Sequence, residues 1–199
     1  MKKELRILIY VLSSFGLGLA VGLCYQTGWG ADPITVFFDG LNKVFKISLG
    51  TANTLTALVM ITIVFFIDKK QLGLGTIITP FAVQFGIDYG MVWFPALTDF
   101  YIRCLGLIIG FIALGFFIAV NISCDIGQGS YDALVLSLVK VFKKTYSFFR
   151  WIIDGTLLLT GYLMGGKVSI ANFLAFIVMG KIVDFFIVRL KKWGLKAKK

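Results

Sequence analysis

Six stretches of this chain stay apolar for about the thickness of a lipid bilayer, and that removes most folds from consideration. They run roughly over residues 5–25, 48–67, 72–97, 104–124, 146–165 and 168–188. About 20 helical residues cross the ~30 Å hydrocarbon layer, and inside lipid a segment must satisfy its own backbone hydrogen bonds. Continuous runs of this length imply helices. Charged residues make up 15% of the chain and mean hydropathy is +0.90, whereas a soluble domain carries about 25% charged residues. The expected fold is an all-α polytopic membrane protein, one membrane domain over residues 1–199, with the lipid bilayer as its main partner.

Two further segments, 33–45 and 133–144, are too short to span. At about 1.5 Å per residue each reaches under ~20 Å. They are expected to be half-helices, re-entrant or lying at the interface. The N-terminal stretch has a basic start like a secretory leader. Its apolar run is too long, and no clean small-residue cleavage site follows. It is therefore expected to be the first spanning helix.

The net charge of +10 does not point to nucleic acid, because basic residues of membrane proteins gather in cytoplasmic loops. If the N-terminus is cytoplasmic and only the six long segments cross, sixteen of the twenty lysines and arginines fall inside. Only Lys43, Lys46, Arg103 and Lys167 fall outside. The expected location is the bacterial plasma membrane with both termini cytoplasmic. The basic tail beginning at Lys191 then sets topology.

Sliding the chain by 99 positions superposes Gly16 on Gly115, Ala20 on Ala119, Val21 on Val120, Gly28 on Gly127, Gly30 on Gly129 and Val36 on Val135. Asp32 and Asp132 match with a one-residue shift. Each half, approximately 5–97 and 104–190, then contains a spanning helix, a glycine turn, a half-helix and two more spanning helices. Three crossings is an odd number, so the second half lies upside down. This is a 3+3 inverted repeat, a design recurrent in secondary transporters.

The glycine turns GWGADP (28–33) and GQGSYD (127–132) break the helical pattern. Backbone leaves a helix at membrane depth only where protein buries it or a wet cavity receives it. Glycine accepts the positive φ of a tight turn. Asp32 before Pro33 suits an N-cap ahead of a first helical proline. In the second turn Ser130 or Asp132 is the expected cap. Two half-helix starts entering from opposite faces would converge near mid-bilayer, where such transporters hold substrate. The candidate substrate-binding residues are Gly28, Trp29, Gly30, Asp32, Asn121, Asp125, Gly127, Gln128, Gly129 and Asp132. Trp29 is equally suited to anchoring at the interface. Asp39 ranks behind these, and boundary positions favour structural roles for Asp88 and Asp184. Arg150 and Asp154, four apart, are placed to pair on one helix face.

Histidine is absent, and the three cysteines, Cys24, Cys104 and Cys124, sit in apolar surroundings with no CxxC spacing. No catalytic constellation, cofactor site or metal site is expected. The cluster LGLGT (72–76) lacks a P-loop lysine and suits close helix packing instead.

The stretch GADPITVFFDGL, followed by the Gly73–Thr76 glycines and by Gly86 and Asp88, resembles the YczE/YyaS/YitT-like bacterial membrane proteins. That family usually carries an aromatic after the proline, where this chain has Ile34. The resemblance implies an integral protein of the bacterial plasma membrane. The functional expectation is a small secondary transporter or exporter of a cationic or zwitterionic solute. A non-transporting membrane partner or regulator of an enzyme or larger complex is the alternative. Six short helices enclose little volume, which a homodimer would enlarge.

Overall fold

The structure is a computed structural model and describes residues 3–124 and 126–192. Among these, all regular structure is helical. The elements are α1 (Lys3–Gln26), α2 (Pro33–Phe45), α3 (Leu49–Asp68), a 3₁₀ turn (Lys69–Gln71), α4 (Leu74–Trp93), α5 (Phe100–Cys124), α6 (Ser130–Phe142), α7 (Tyr146–Leu163) and α8 (Ile170–Lys192). Among the described residues three helices are long and apolar enough to cross a membrane: Lys3–Gln26, Leu49–Gln71 and Phe100–Cys124. The other three expected spans are also helices, of 20, 18 and 23 residues.

α1 is central. It packs on α4 and α5, and α5 packs in turn on α8. Glycine explains how closely α1 and α4 approach. A Cβ on Gly22 would lie 3.0 Å from the Cα of Gly90. Tyr10 meets Gly75, Gly18 meets Gly86 and Gly22 meets Gly90, so the two helices run parallel. Against α5 the order reverses. Ser13 bonds Asn121, Gly16 meets Phe117 and Cys24 meets Gly110, so α1 and α5 run antiparallel. The main core gathers Ala20, Val21 and Cys24 with Val83, Ile87, Leu107, Phe111, Leu114, Ala171 and Ala175. Apolar side chains such as Leu12, Val59, Phe66 and Ile108 remain exposed on the outside. Exposed apolar surface on this scale marks a membrane-facing protein.

The short helices cross over between the halves. α2 packs on α7 and α6 packs on α3. The two share their local construction. Each has 13 residues, and they start at 33 and 130, 97 positions apart. Each ends at a left-handed lysine, Lys46 or Lys143. Each is followed by a hydroxyl-capped helix, with Ser48 capping α3 and Thr145 capping α7.

The turn glycines keep a spacing of 99 while the helix starts keep 97, because Ala31 and Asp32 stand between Gly30 and Pro33 whereas Ser130 follows Gly129 directly. This corrects the pairing of the acids. Asp32 stands at the N-cap of α2, whereas Asp132 is the third residue of α6. Neither Ser130 nor Asp132 is the cap of α6. Gly129 holds that position, and no side-chain cap bond is made there.

Candidate functional site

The first turn is shaped by Gly28 and Gly30, with φ of 73° and 72°. A side chain at either would be strained. Asp32 then begins α2 through a reciprocal cap. Its Oδ1 accepts from the Thr35 amide at 3.1 Å, and Thr35 Oγ1 accepts from the Asp32 amide at 3.1 Å. Pro33 occupies the first turn, where its missing N–H costs nothing.

Side chains fasten this turn to α8 and α5. Asn172 Nδ2 donates to the Asp32 carbonyl at 3.0 Å, and Ser169 Oγ donates to the Trp29 carbonyl. Arg103 Nε donates to the Thr27 carbonyl at 2.5 Å. The Arg103 guanidinium lies 4.4 Å from the Trp29 ring centroid, and Phe100 meets the same ring edge-on at 5.9 Å. A cation over an indole face is attractive, more so when partly desolvated. Trp29 is thus clamped in place.

Beneath the clamp lies a cavity of about 540 Å³, within the ~300–1,000 Å³ typical of small-molecule sites. Gly28, Trp29 and Gly30 line it with Tyr25 of α1, Thr35, Val36, Asp39 and Asn42 of α2, and Ser48 and Leu49 at the start of α3. Asp88, Met91 and Val92 of α4 close one side, and Lys167 and Asn172 another. The two carboxylates are held differently. Asp39 pairs with Lys43 at 3.2 Å and accepts the Lys167 amide at 2.7 Å. Among the described residues Asp88 accepts a single hydrogen bond, from the Gly50 amide at 3.0 Å. Among the described residues no basic side chain lies within ion-pair distance of Asp88.

The second turn is built for contact. Gly127, at φ 133°, lies against Gly73, and a Cβ on Gly73 would come 2.9 Å from the Gly127 Cα. The Gly75 amide donates to the Ile126 carbonyl at 3.3 Å, and Thr76 Oγ1 donates to the Gln128 carbonyl at 2.7 Å. The LGLGT glycines therefore serve close packing. α4 and α8 hold their respective turns by one device. The third helical residue, Thr76 or Asn172, accepts its own N-cap amide and reaches a carbonyl of the neighbouring turn.

Of the candidate residues, the cavity brings together Gly28, Trp29 and Gly30, with Asp32 capping α2 just behind them. Among the described residues its lining takes none of Asn121, Gly127, Gln128, Gly129 or Asp132. Asn121 instead joins α5 to α1, accepting from Ser13 and, at 3.4 Å, from Ser14. Asp125 and the tail from Trp193 onward lie outside the described residues. Arg150 and Asp154 do pair, at 3.6 Å, and the Tyr131 hydroxyl donates to Asp154 at 2.5 Å. From the sequence alone Asp39 ranks low and Asp88 takes a boundary role, and nothing there singles out Tyr25, Asn42, Lys167 or Asn172 for the site.

An all-helical chain with bilayer-length apolar helices and an exposed apolar exterior is an integral membrane protein. Its sequence places it in a particular family. Residues 5–188 match the family of unknown function DUF6198, and the chain belongs to that family. It is 29% identical over 187 residues to an uncharacterized protein of Haemophilus influenzae, covering 93% of this chain and 84% of that one. It is 22% identical to the uncharacterized protein YyaS of Bacillus subtilis, covering 92% of each chain. It is also 22% identical to the uncharacterized membrane protein YczE of Bacillus subtilis, over 88% of this chain and 80% of that one. The YczE/YyaS resemblance read from the glycine–proline stretch is thereby established. No solved structure matches the chain.

Proposed function

We infer that this protein is a small secondary transporter of the bacterial plasma membrane, built as a 3+3 inverted repeat of six spans and two re-entrant half-helices. The antiparallel run of α1 and α5, the half-helices 97 residues apart and the exchanged packing of α2 on α7 and α6 on α3 support the repeat. The charge bias supports cytoplasmic termini, with the cavity opening outward.

The observation that carries the reading is an asymmetry between equivalent parts. The first turn lines a cavity, while the second is packed shut, backbone on backbone, against α4. In an inverted repeat, exchanging the conformations of the two halves turns an outward-open state into an inward-open one. The non-transporting partner remains the alternative, and a structure permanently open on one side would favour it.

Two-sided labelling separates the readings. Met91 of α4 lines the cavity and is part-exposed. A Met91→Cys protein is made with Cys24, Cys104 and Cys124 replaced by alanine. A membrane-impermeant maleimide is then applied to right-side-out and to inside-out vesicles. Alternating access gives labelling from both faces. Labelling from the outer face alone, whatever solute is present, contradicts it.

A further inference from the structure

We propose that the cavity beneath Trp29 binds an organic cation, with Asp88 as the recognition carboxylate and the apolar wall of Trp29, Met91 and Val92 receiving the carbon skeleton. This deepens the transport reading and rests on it.

Three observations lead here. The first is which charge is available. Asp39 is engaged by Lys43 at 3.2 Å and by the Lys167 amide at 2.7 Å, so its charge is largely answered within the protein. Asp88 faces the same space with one hydrogen bond, from the Gly50 amide at 3.0 Å. A carboxylate has room for about four acceptor bonds across its two oxygens. Asp88 therefore keeps accepting capacity for a ligand donor.

The second observation is that this hydrogen bond fixes the carboxylate. Gly50 lies in the first turn of α3, and a Cβ there would come 2.6 Å from Asp88 Oδ2. The absence of that Cβ lets the acid lie against the helix backbone, oriented and largely immobile. A pre-positioned charge spends little ordering entropy on binding.

The third observation is the character of the rest of the lining. A calcium or magnesium ion wants about six or more oxygen ligands. Here Trp29, Val36, Leu49, Met91 and Val92 supply much of the wall. A few polar groups set in an apolar lining suit an ammonium group attached to carbon. Aromatic neighbours are favourable for such a cation, and Tyr25 and Trp29 are among the lining residues, one face of Trp29 being taken by Arg103. Lys167 at the rim disfavours a second positive charge there, so a monovalent cation or a zwitterion is accepted over a polyamine.

The test is equilibrium binding to the full-length protein in lipid nanodiscs, read as the shift in thermal unfolding with n-butylammonium chloride, a primary ammonium that carries N–H donors, as probe. Sodium chloride, magnesium chloride and sodium propionate at equal ionic strength are the comparators. The expected result is a saturable stabilisation by n-butylammonium alone. Asp88→Asn keeps an oxygen for the Gly50 amide while removing the charge, and weakens the apparent affinity at least tenfold. Asp99→Asn makes the same charge change at the exposed cap of α5 and leaves affinity unchanged. Should Asp88→Asn fail to fold, Met91→Trp, which fills the cavity without altering charge, abolishes the shift. Absence of a saturable shift in the native protein, an equal shift from the salts, or undiminished affinity in Asp88→Asn and Met91→Trp would each overturn the proposal. Binding requires no turnover, so the two readings fail separately. Cation binding with one-sided labelling removes transport, and two-sided labelling without cation binding removes only the substrate class.

Discussion

At the scale of single residues, the two glycine turns are held by different chemistry, and substitutions should sort accordingly. Asp32 is an N-cap with both reciprocal bonds made. Asp32→Ala is expected to lower stability by about 1 kcal/mol, while Asp32→Asn, an equally good cap, should cost little. Thermal unfolding in one detergent measures both. The glycines divide in the same way. A methyl on Gly73 meets the Gly127 backbone at 2.9 Å, whereas one on Gly129 meets nothing within 4 Å. Gly73→Ala should therefore destabilise by about 2 kcal/mol and Gly129→Ala by under about 0.5 kcal/mol. Equal effects would mean that the second turn is not closed on α4. Capping at Asp32 was legible because aspartate before proline has few other local explanations. The accepting role of Asp88 was not. It depends on Gly50, 38 residues earlier, and no local pattern encodes that contact.

At the scale of elements, length and periodicity were enough to place the eight α-helices of the described residues, including the two short ones. Their ends were less legible. α6 begins directly after Gly129, without the two residues that separate Gly30 from α2, and this moves Asp132 from the expected cap into the first turn of the helix. A shift of that size alters few identities in a glycine-rich alignment, yet it changes what an acid does. The crossed packing of α2 on α7 and α6 on α3 was invisible in the sequence, because an amphipathic pattern shows which face is buried and not which neighbour buries it. The α6–α7 corner carries its own expected outcome. Asp154 is buried, while the Arg150 side chain is 45% exposed. Arg150→Ala leaves a buried carboxylate without its cation. Asp154→Ala leaves an arginine that can reach toward polar surroundings. Arg150→Ala should thus be the more destabilising, by about 1–2 kcal/mol in thermal unfolding. The reverse order would mean that the Tyr131 hydroxyl alone sustains Asp154.

At the scale of the whole molecule, the same parts are used twice and finished differently. α1 with α4 and α5 with α8 make two packed pairs, and the pairs meet through antiparallel α1 and α5. The short helices pack outside the pairs of their own halves, α2 chiefly on α7 with smaller contacts to α3 and α8, and α6 chiefly on α3 with smaller contacts to α7 and α4. The inversion proposed above would account together for a sixteen-to-four distribution of basic residues and for the pairing of an open turn with a closed one. Its most direct test is the sidedness of the two left-handed lysines that end the short helices. Single cysteines replace Lys46 and Lys143 in a cysteine-free background, and intact cells are treated with an impermeant maleimide. The account requires residue 46 to react from outside and residue 143 only after the membrane is opened. Reaction of both from the same face would contradict the inversion, and the transport reading with it.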